Sequence, residues 1–372
     1  MHKLLRLLLM AFVLCTILGV ASTSFTEDLV TLKTNFFTDS GGLLVRSPSL
    51  LYVKELAQNS LLSLQYTMDR VRIPPYRGIS AKPIALDGTT GASKPASDSS
   101  SNGFYSKTRN EILANLNTQR WGLTAYYSTE NDYTGRLLSA GYNHDFNRKN
   151  TNLAFGAGYG HDSITPIGRN KTYQRRNLLL NSTLTQTLSP VTIMRVGFDV
   201  SYVTGYQNNP YRTVFVLGSP TLENHPRERL RLAGFAKLNP YFKPARASLW
   251  LDYRLYGDDW GIISNTIGVK LHQQISPRLL MRYRYRFYTQ TAANFYRTNY
   301  PLLTSSAFYT DDYKLEAFYS HLFGFMISYG LEPLADRLPF LAHTTLDVKY
   351  ERFFTSNTFT ANIYQLGVTV HY

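Results

Sequence analysis

The stretch that decides the fold is residues 279–288, LLMRYRYRFY, in which apolar and basic side chains alternate without interruption. From position 281 onward the odd positions carry large apolar side chains: Met281, Tyr283, Tyr285 and Phe287. The even positions carry guanidinium groups: Arg282, Arg284 and Arg286. A helix would scatter these charges around its circumference, whereas a strand places all of them on one face. The stretch therefore predicts a β-strand with one apolar face and one cationic face.

The same pattern, about ten alternating residues and then a turn, recurs along most of the chain. It is clear in 151–161, 193–202 and 246–255, where aliphatic or aromatic residues alternate with small, polar or charged ones. Strands of a membrane barrel have this pattern because lipid-facing and lumen-facing residues alternate. We therefore expect an all-β fold, a transmembrane antiparallel β-barrel of about 14 strands, within a range of roughly 12 to 16. The expected strands begin near residues 60, 104, 121, 134, 150, 173, 191, 228, 246, 261, 279, 311, 341 and 358.

Turns of two sizes separate these segments. Short turns are expected at Asn147–Asn150, Ser189–Pro190 and Ser276–Arg278, and long ones at about 71–103, 204–227 and 291–310. Outer-membrane barrels have short periplasmic turns and long external loops. Because the two sizes roughly alternate, both termini are expected on the periplasmic side, provided that 315–331 is one unbroken strand.

The first residues have the features of a secretory signal peptide. Lys3 and Arg6 precede an apolar run over 7–20 that is short for a membrane-spanning helix, and small residues follow it. We expect a signal peptide over 1–24, cleaved near 21–24. Because Cys15, the one cysteine, lies inside it, the mature chain is expected to have no disulfide and no thiolate metal site.

The barrel itself is expected over 60–372, and the segment 25–59 fits the strand pattern less well. Gly41–Gly42 and Ser47–Pro48 interrupt it. We interpret 25–59 as a periplasmic extension or a short plug, with two further strands as the alternative.

The last ten residues, IYQLGVTVHY at 363–372, alternate strictly and end on an aromatic residue. A terminal aromatic on such a strand resembles the membrane-assembly signal that the bacterial barrel-assembly machinery reads, and an ordinary edge strand ending in Tyr is the alternative. The alternation places Tyr372 on the lipid face and His371 toward the lumen. The expected location is the bacterial outer membrane.

The chain is strongly basic, with a formal net charge of +14. Nucleic acid is not an expected partner of an exported chain, so the charge indicates contact with anionic material outside the cytoplasm. The expected partners are outer-membrane lipid and its lipopolysaccharide, the barrel-assembly machinery, and a periplasmic protein as a further candidate.

Basic side chains outnumber acidic ones on the polar faces of the predicted strands. The candidate lumen-lining residues are Arg195, Arg229, Arg231, Arg254, Arg282, Arg284 and Arg286. In one interpretation they form a cationic lumen that favours anionic solutes, because a low-dielectric wall focuses the field. In the other, the charges of the lumen pair with one another and hold the strands in register. An open bore with unpaired arginines would favour the first interpretation.

The sequence contains no motif that indicates catalysis. The neighbouring acids Asp258–Asp259 and Asp311–Asp312 are interpreted as solvated loop acids, because a hard cation needs several oxygen ligands at close range. No histidine lies in a recognisable nucleophile motif, and there is no phosphate-binding glycine loop or zinc spacing. We expect no catalytic residue, no metal site and no cofactor.

Short motifs that flank the predicted loops resemble those of a known family. They are 48–51 (PSLL), 65–69 (QYTMD), 127–133 (YSTENDY), 205–212 (GYQNNPYR), 258–261 (DDWG) and 288–296 (YTQTAANFY). Together they resemble the uncharacterised bacterial family called "domain of unknown function thirty-five seventy", from about residue 40 to the end. The resemblance implies an exported barrel-like protein with no established activity, so no catalytic residue is carried over. Arg70-Val71-Arg72 stands where the family tends to have an Ala-Ser pair, so the first loop is expected to differ.

Three functions remain open on the sequence alone. The leading hypothesis is a channel or pore for small solutes, in particular anionic ones. The alternative is a non-conducting barrel scaffold that holds a periplasmic or surface partner. The third is an outer-membrane enzyme, which would require a Ser or Thr nucleophile to meet a His base.

Overall fold

The computed structural model describes residues 28–57, 60–73, 105–301 and 307–372, and these form antiparallel β-structure almost throughout. The strands are β1 (Leu29–Asp39), β2 (Leu44–Ala57), β3 (Ser60–Ile73), β4 (Tyr105–Asn117), β5 (Trp121–Thr129), β6 (Tyr133–Phe146), β7 (Thr151–Ile164), β8 (Tyr173–Ser189), β9 (Thr192–Gly205), β10 (Thr213–Val216), β11 (Ser219–Leu222), β12 (Glu228–Phe242), β13 (Ala247–Asp258), β14 (Ile263–Ser276), β15 (Leu279–Gln290), β16 (Phe318–Gly330), β17 (Thr344–Thr355) and β18 (Thr360–His371). The described residues include no helix that is long and apolar enough to cross a membrane. The expected signal peptide over 1–24 and most of the long loop 71–103 lie outside the described residues.

Sixteen of these strands close into one antiparallel barrel. The first strand completes it, because Lys33 of β1 opposes Gly367 of β18 on one side and Ser49 of β2 on the other. Apart from this closing pair, neighbours in the barrel are neighbours in sequence except for β9 and β12, since β10 and β11 form a separate hairpin in the loop between them. Because the barrel is closed, no strand has an unpaired edge. Strands in lipid require this, since no water is available there to bond to free backbone groups.

All fourteen predicted strands are present, and the additional two come from the segment 25–59. The interpretation of 25–59 as a periplasmic extension or plug is corrected, because β1 and β2 are part of the barrel wall. The glycine and proline that interrupt the strand pattern in this segment each have a local structural role. Gly42 has φ 80° in the turn between β1 and β2. The β2–β3 register omits Pro48, which has no N–H to donate.

The described connections follow the predicted topology, since those at one end of the barrel are short except for 331–343, and the long β9–β12 and β15–β16 loops lie at the other end. The β16 strand is unbroken from Phe318 to Gly330, as the parity of the topology requires. It begins later than 311 because Tyr313–Leu315 forms a 3-10 turn, in which Asp312 accepts a hydrogen bond from the Lys314 amide at 2.9 Å. Leu29 opposes His371, so the first and last strands meet at the end of the barrel that has short turns. By the usual asymmetry of such barrels this end is periplasmic and the long-loop end is external.

Candidate functional site

The two faces of the barrel wall can be told apart by what they contact. On one face Leu138, Tyr159 and Leu178 oppose one another in register and are 65%, 51% and 46% exposed, which fits a surface covered by lipid. The other face lines a cavity to which β7, β8, β9, β12, β13 and β15 all contribute. Only the interior of a closed barrel brings side chains from so many strands together. That face is therefore the lumen.

All seven predicted arginines lie on this inward face. Arg229 and Arg231 line the cavity directly. Arg195 opposes Lys237, and Arg254 opposes Phe235, at positions of β12 that share the face of Arg231. Tyr288 of β15 lines the cavity, and three arginines lie six, four and two residues before it, on the same face of the strand: Arg282, Arg284 and Arg286. The strand register thus brings all of them into one lumen.

Three of these arginines have carboxylate partners. Arg229 pairs with Asp258 at 2.5 Å, and its guanidinium lies over the Trp260 ring at 4.0 Å. Arg254 pairs with Asp199 at 3.5 Å. These pairings agree with the interpretation in which lumen charges hold strands in register.

The third pair, Arg284 with Glu351, joins two strands that are not neighbours. Its atoms lie 2.9 Å apart across β16. Gly324 stands between them in register, and a Cβ at Gly324 would lie 3.0 Å from Glu351 Cγ and 3.3 Å from Arg284 Cβ. The ion pair therefore depends on a glycine at the crossing point. Glu351 also contacts Lys349 at 3.4 Å.

Arg231, Arg282 and Arg286 are different, because no carboxylate within the described residues lies in ion-pair distance of them. The Nε atoms of Arg231 and Arg286 are buried and make no hydrogen bond to the described part of the chain. Further basic side chains face two of the β15 arginines: the Lys270 ammonium opposes Arg284, and the His272 imidazole opposes Arg282. The lumen wall on β14 and β15 is consequently a positively charged band that the described carboxylates only partly compensate.

The bore is wide enough to contain water beside this band. A barrel of 16 strands, spaced about 4.8 Å apart and tilted by about 40°, has a backbone radius of about 16 Å. The inward-facing side chains of Arg254 and Asp199 are still 46% and 42% exposed. Solvent therefore reaches the wall at their level.

A cavity of about 460 Å³ lies in the lumen near its external end. Its charged residues include the pair Asp162–Arg175 together with Arg229, Arg231 and Lys314. Aromatic side chains complete the wall: Tyr256, Trp260 and Tyr288. The cavity thus combines several cations with flat apolar surfaces, a combination that suits a small anion with an apolar part.

The two longest described loops pack together over this end. The β10–β11 hairpin places Val214 and Val216 against Tyr300 of the β15–β16 loop. Thr310 of the same loop donates to Glu223 at 3.0 Å, and both residues are buried. Across the mouth, the Tyr211 hydroxyl donates to Asp132 of the β5–β6 loop at 2.6 Å. These loops therefore form a connected cap that narrows the entrance.

Phenols and one carboxyl in the loops have pKa values moved by burial. Burial raises the pKa of Tyr206 to about 12. It also raises the pKa of Tyr296 and that of Tyr300, so these phenols remain neutral donors in the cap. Burial likewise raises the pKa of Glu130, although the Lys107 ammonium beside it acts in the opposite direction.

The interpretation of the loop acids as solvated is wrong for two of them. The side chain of Asp258 is fully buried and accepts hydrogen bonds from Arg229, from the Tyr256 hydroxyl at 2.6 Å and from the Trp260 and Ile262 amides at 3.1 and 3.0 Å. Asp312 is buried beside Arg212. Asp259 remains exposed, as expected. Alternation cannot reveal the arginine partners, because Arg229 lies on another strand than Asp258, and Arg212 in another loop than Asp312.

The described residues contain no group of three or more His, Cys, Asp or Glu side chains that could hold a metal ion. Two of their histidines make side-chain hydrogen bonds, and neither bonds to a Ser hydroxyl: His321 bonds to the Tyr285 hydroxyl at 3.0 Å, and His225 to the Gln207 carbonyl at 3.1 Å. No nucleophile–base pair is therefore assembled in the described part of the chain.

Some lumen residues escaped the sequence analysis. Arg175 was not among the candidates, although it lies on the same face of a predicted strand as Tyr173 and Asn177 and could have been found by the same rule. Trp260 could not have been found in this way, because it follows the strand β13 and the turn sets its inward position. There its indole donates to the Glu228 carbonyl at 3.0 Å.

One known protein family matches most of the chain. A family model described as "Protein of unknown function (DUF3570)" matches residues 55–179 and 169–336. No curated protein matches the chain. The closed barrel, with an apolar outer face and a polar lumen, is the architecture of bacterial outer-membrane proteins.

Solved barrels resemble it at low identity. OpdK of Pseudomonas aeruginosa, solved with vanillate, is 9% identical with a TM-score of 0.42, over 92% of this chain and 98% of that one. A loop-deletion mutant of OmpT, an outer membrane protein of Vibrio cholerae, is 9% identical with a TM-score of 0.44, over 93% and 99%. The siderophore receptor PirA of Pseudomonas aeruginosa is 12% identical with a TM-score of 0.43, over 90% and 57%.

Proposed function

The chain belongs to the family described as "Protein of unknown function (DUF3570)", and from this premise we propose that it is a passive outer-membrane channel that favours small anionic solutes. The observation that carries the proposal is the group of inward-facing arginines without carboxylate partners in the described chain: Arg231, Arg282 and Arg286. An unpaired charge beside a water-filled bore acts on passing ions, whereas a closely paired one is largely cancelled.

The expected selectivity follows from the size of the bore. With a backbone radius of about 16 Å and an arginine reach of about 6 Å, a guanidinium lies about 10 Å from the axis. One such charge contributes about 0.4 kcal/mol in water, which salt at 0.1 M reduces to about 0.15 kcal/mol. Two charges act with opposite sign on chloride and potassium, so removing both changes the permeability ratio by about 0.6 kcal/mol, or two- to threefold.

Planar-bilayer recordings in a potassium chloride gradient test the proposal. Wild-type channels are expected to prefer chloride, and R282Q/R286Q is expected to lower the chloride-over-potassium permeability ratio by about two- to threefold. The matched control is R148Q/K149Q, which removes two exposed cations from the turn between β6 and β7, outside the lumen. Absence of conductance from folded, inserted protein would refute the channel. An unchanged ratio in R282Q/R286Q would refute the role of the arginines.

The scaffold remains the second candidate because of the packed external cap. The cap ties the β9–β12 loop to the β5–β6 and β15–β16 loops through buried contacts, including Tyr211 with Asp132 and Thr310 with Glu223. A cap that closes the entrance would leave a barrel that presents its loops to a partner and passes no current. The same recordings decide between the two, and co-purification of a partner from mildly solubilised membranes would favour the scaffold.

A further inference from the structure

A row of basic side chains lies on the outward face of the barrel near its external end. Arg136 of β6 opposes His161 of β7, and His161 opposes Arg176 of β8. They face lipid rather than the lumen, since each is two residues along its strand from one of the exposed residues Leu138, Tyr159 and Leu178. Both arginines are exposed, with the half-buried His161 between them.

A second outward cluster lies on β2 and β3 at the same end. Arg46 directly opposes Arg70, and Arg72 follows two residues nearer the external end. All three are exposed. Like charges directly opposite each other destabilise a sheet. The register therefore holds an unfavourable pair in place unless something anionic lies over it.

The described wall supplies no carboxylate to the outward pairs Arg46–Arg70 and Arg136–Arg176. Within the described residues, the outward positions of β2 to β8 contain no Asp or Glu, and no ion pair reaches Arg46, Arg70, Arg136 or Arg176. At the external end, the ion pairs of these strands are formed on the inner face, as in Arg109–Asp69 and Arg175–Asp162. The described part of the chain therefore leaves Arg46, Arg70, Arg136 and Arg176 open to an external anion.

The height of the row identifies its surroundings. Tyr159, an exposed outward aromatic, lies two residues below His161 on β7, or about 5 Å along the barrel axis for a strand tilted by about 40°. Aromatic residues mark the boundary of the apolar band, so the arginines lie just beyond it, at the level of the headgroups of the external leaflet. Phosphate groups of lipid are the anions available there.

We propose that Arg136, His161 and Arg176 form a binding site for a phosphate group of the lipopolysaccharide that surrounds the barrel, and that Arg46 and Arg70 form a second such site. Strands about 4.8 Å apart place the Arg136 and Arg176 backbones about 10 Å apart. Two guanidinium groups can converge on one phosphate across this distance. Each can donate two parallel hydrogen bonds to it, and the imidazole between them supplies a further donor.

Native mass spectrometry of the folded, detergent-solubilised protein tests the site with bis-phosphorylated lipid A, dephosphorylated lipid A and inorganic phosphate as probes. Wild-type protein is expected to retain lipid A and to release the dephosphorylated form, with inorganic phosphate failing to displace lipid A. R136Q/R176Q is expected to weaken lipid A binding at least about tenfold, since charged hydrogen bonds at two groups are lost. R148Q/K149Q, whose cations lie in the turn at the opposite end of the barrel, is the control and is expected to bind as the wild type does.

Several outcomes would overturn the proposal. They are equal retention of lipid A by R136Q/R176Q and the wild type, equal retention of the two lipid A forms, displacement by inorganic phosphate, or an equal loss in the control. Folding is checked by the heat-dependent shift in gel mobility. If R136Q/R176Q does not fold, R136K/R176K keeps the charge but loses the paired donors, and it is expected to bind more weakly than the wild type; unchanged binding would count against the site. R46Q/R70Q tests the second site in the same way. Conductance is expected to stay at its wild-type value in all of these variants, so failure of the lipid site and failure of the channel are distinguishable.

Discussion

Replacing Asp258 with Asn is expected to destabilise the barrel by about 3–5 kcal/mol, the usual result of removing one partner of a buried ion pair. The structure indicates a loss of stability at the upper end of what single substitutions cause. The Asp258 side chain is fully buried, and the Arg229 side chain, 12% exposed, donates to it from Nε and Nη2 at 3.0 and 2.5 Å. An amide nitrogen in this position would present a donor to the guanidinium and would leave its charge uncompensated.

The neighbouring residue provides the control. Asp259 is exposed and accepts one hydrogen bond, from the Leu230 amide at 3.0 Å. D259N is therefore expected to change the free energy of unfolding by less than about 1 kcal/mol. Urea unfolding of protein refolded into lipid vesicles measures both, and fluorescence of Trp260, whose amide donates to Asp258, reports on the site.

A double-mutant cycle isolates the interaction energy of Arg229 with Asp258 from other effects of each substitution on stability. R229M is expected to cost less in the D258N background than in the wild type, because the charge it removes is already without a partner there. A D258N protein within about 1 kcal/mol of D259N would refute the assignment of Asp258 as a buried structural carboxylate. So would additivity of the two substitutions.

The remaining predictions concern packing, the cap and pH. G197A is expected to cost about 1–3 kcal/mol in urea unfolding, because a Cβ there would lie 2.4 Å from Phe235 Cζ, whereas G234A, with no atom within 4 Å, serves as the neutral control. Y211F is expected to speed hydrogen exchange in the external loops, because the hydroxyl donates to Asp132 and accepts from the Ile167 amide at 2.9 Å; unchanged exchange would contradict the cap. The raised pKa of Glu130 means that its contribution to stability is present at low pH and is lost as the pH rises through that pKa. E130Q, which does not titrate, is accordingly expected to be more stable relative to the wild type at pH 7 than at pH 4, and urea unfolding at both values measures the difference.

The barrel could be predicted from the sequence because the alternation is a local property. A period of two residues fixes both the strand and the face of every side chain in it, so the inward position of Arg282 and its neighbours followed directly. Strands β1 and β2 were not assigned because Gly42 and Pro48 resemble breaks in the pattern. A Gly in a tight turn between paired strands, or a Pro within a strand, gives the same sequence pattern as a loop. Only the neighbouring strands with which the segment pairs distinguish a strand from a loop.

The pairing of the charges could not be predicted, because each partner comes from elsewhere in the chain. Arg284 and Glu351 are 67 residues apart in sequence and meet across an intervening strand at Gly324. Asp258 lies at a strand end, where a solvated position is the usual one, and only the turn that follows encloses it. The role of Tyr372 as an assembly signal stays a prediction. The structure places its amide 3.1 Å from the Asp28 carbonyl, one residue beyond β18.

The two interpretations of the lumen arginines are compatible, because pairing and selectivity depend on different distances. An ion pair such as Arg284–Glu351 stabilises the wall through contacts of 2.9 Å, and this effect vanishes a few ångströms away. A solute at the barrel axis, about 10 Å from the guanidinium groups, responds instead to the sum of the charges within a Debye length, to which close pairs contribute little. Arg282 and Arg286 dominate that sum because no described carboxylate pairs with them. Stability and selectivity of this barrel therefore reside in different arginines of one strand, and substitutions can change one without the other.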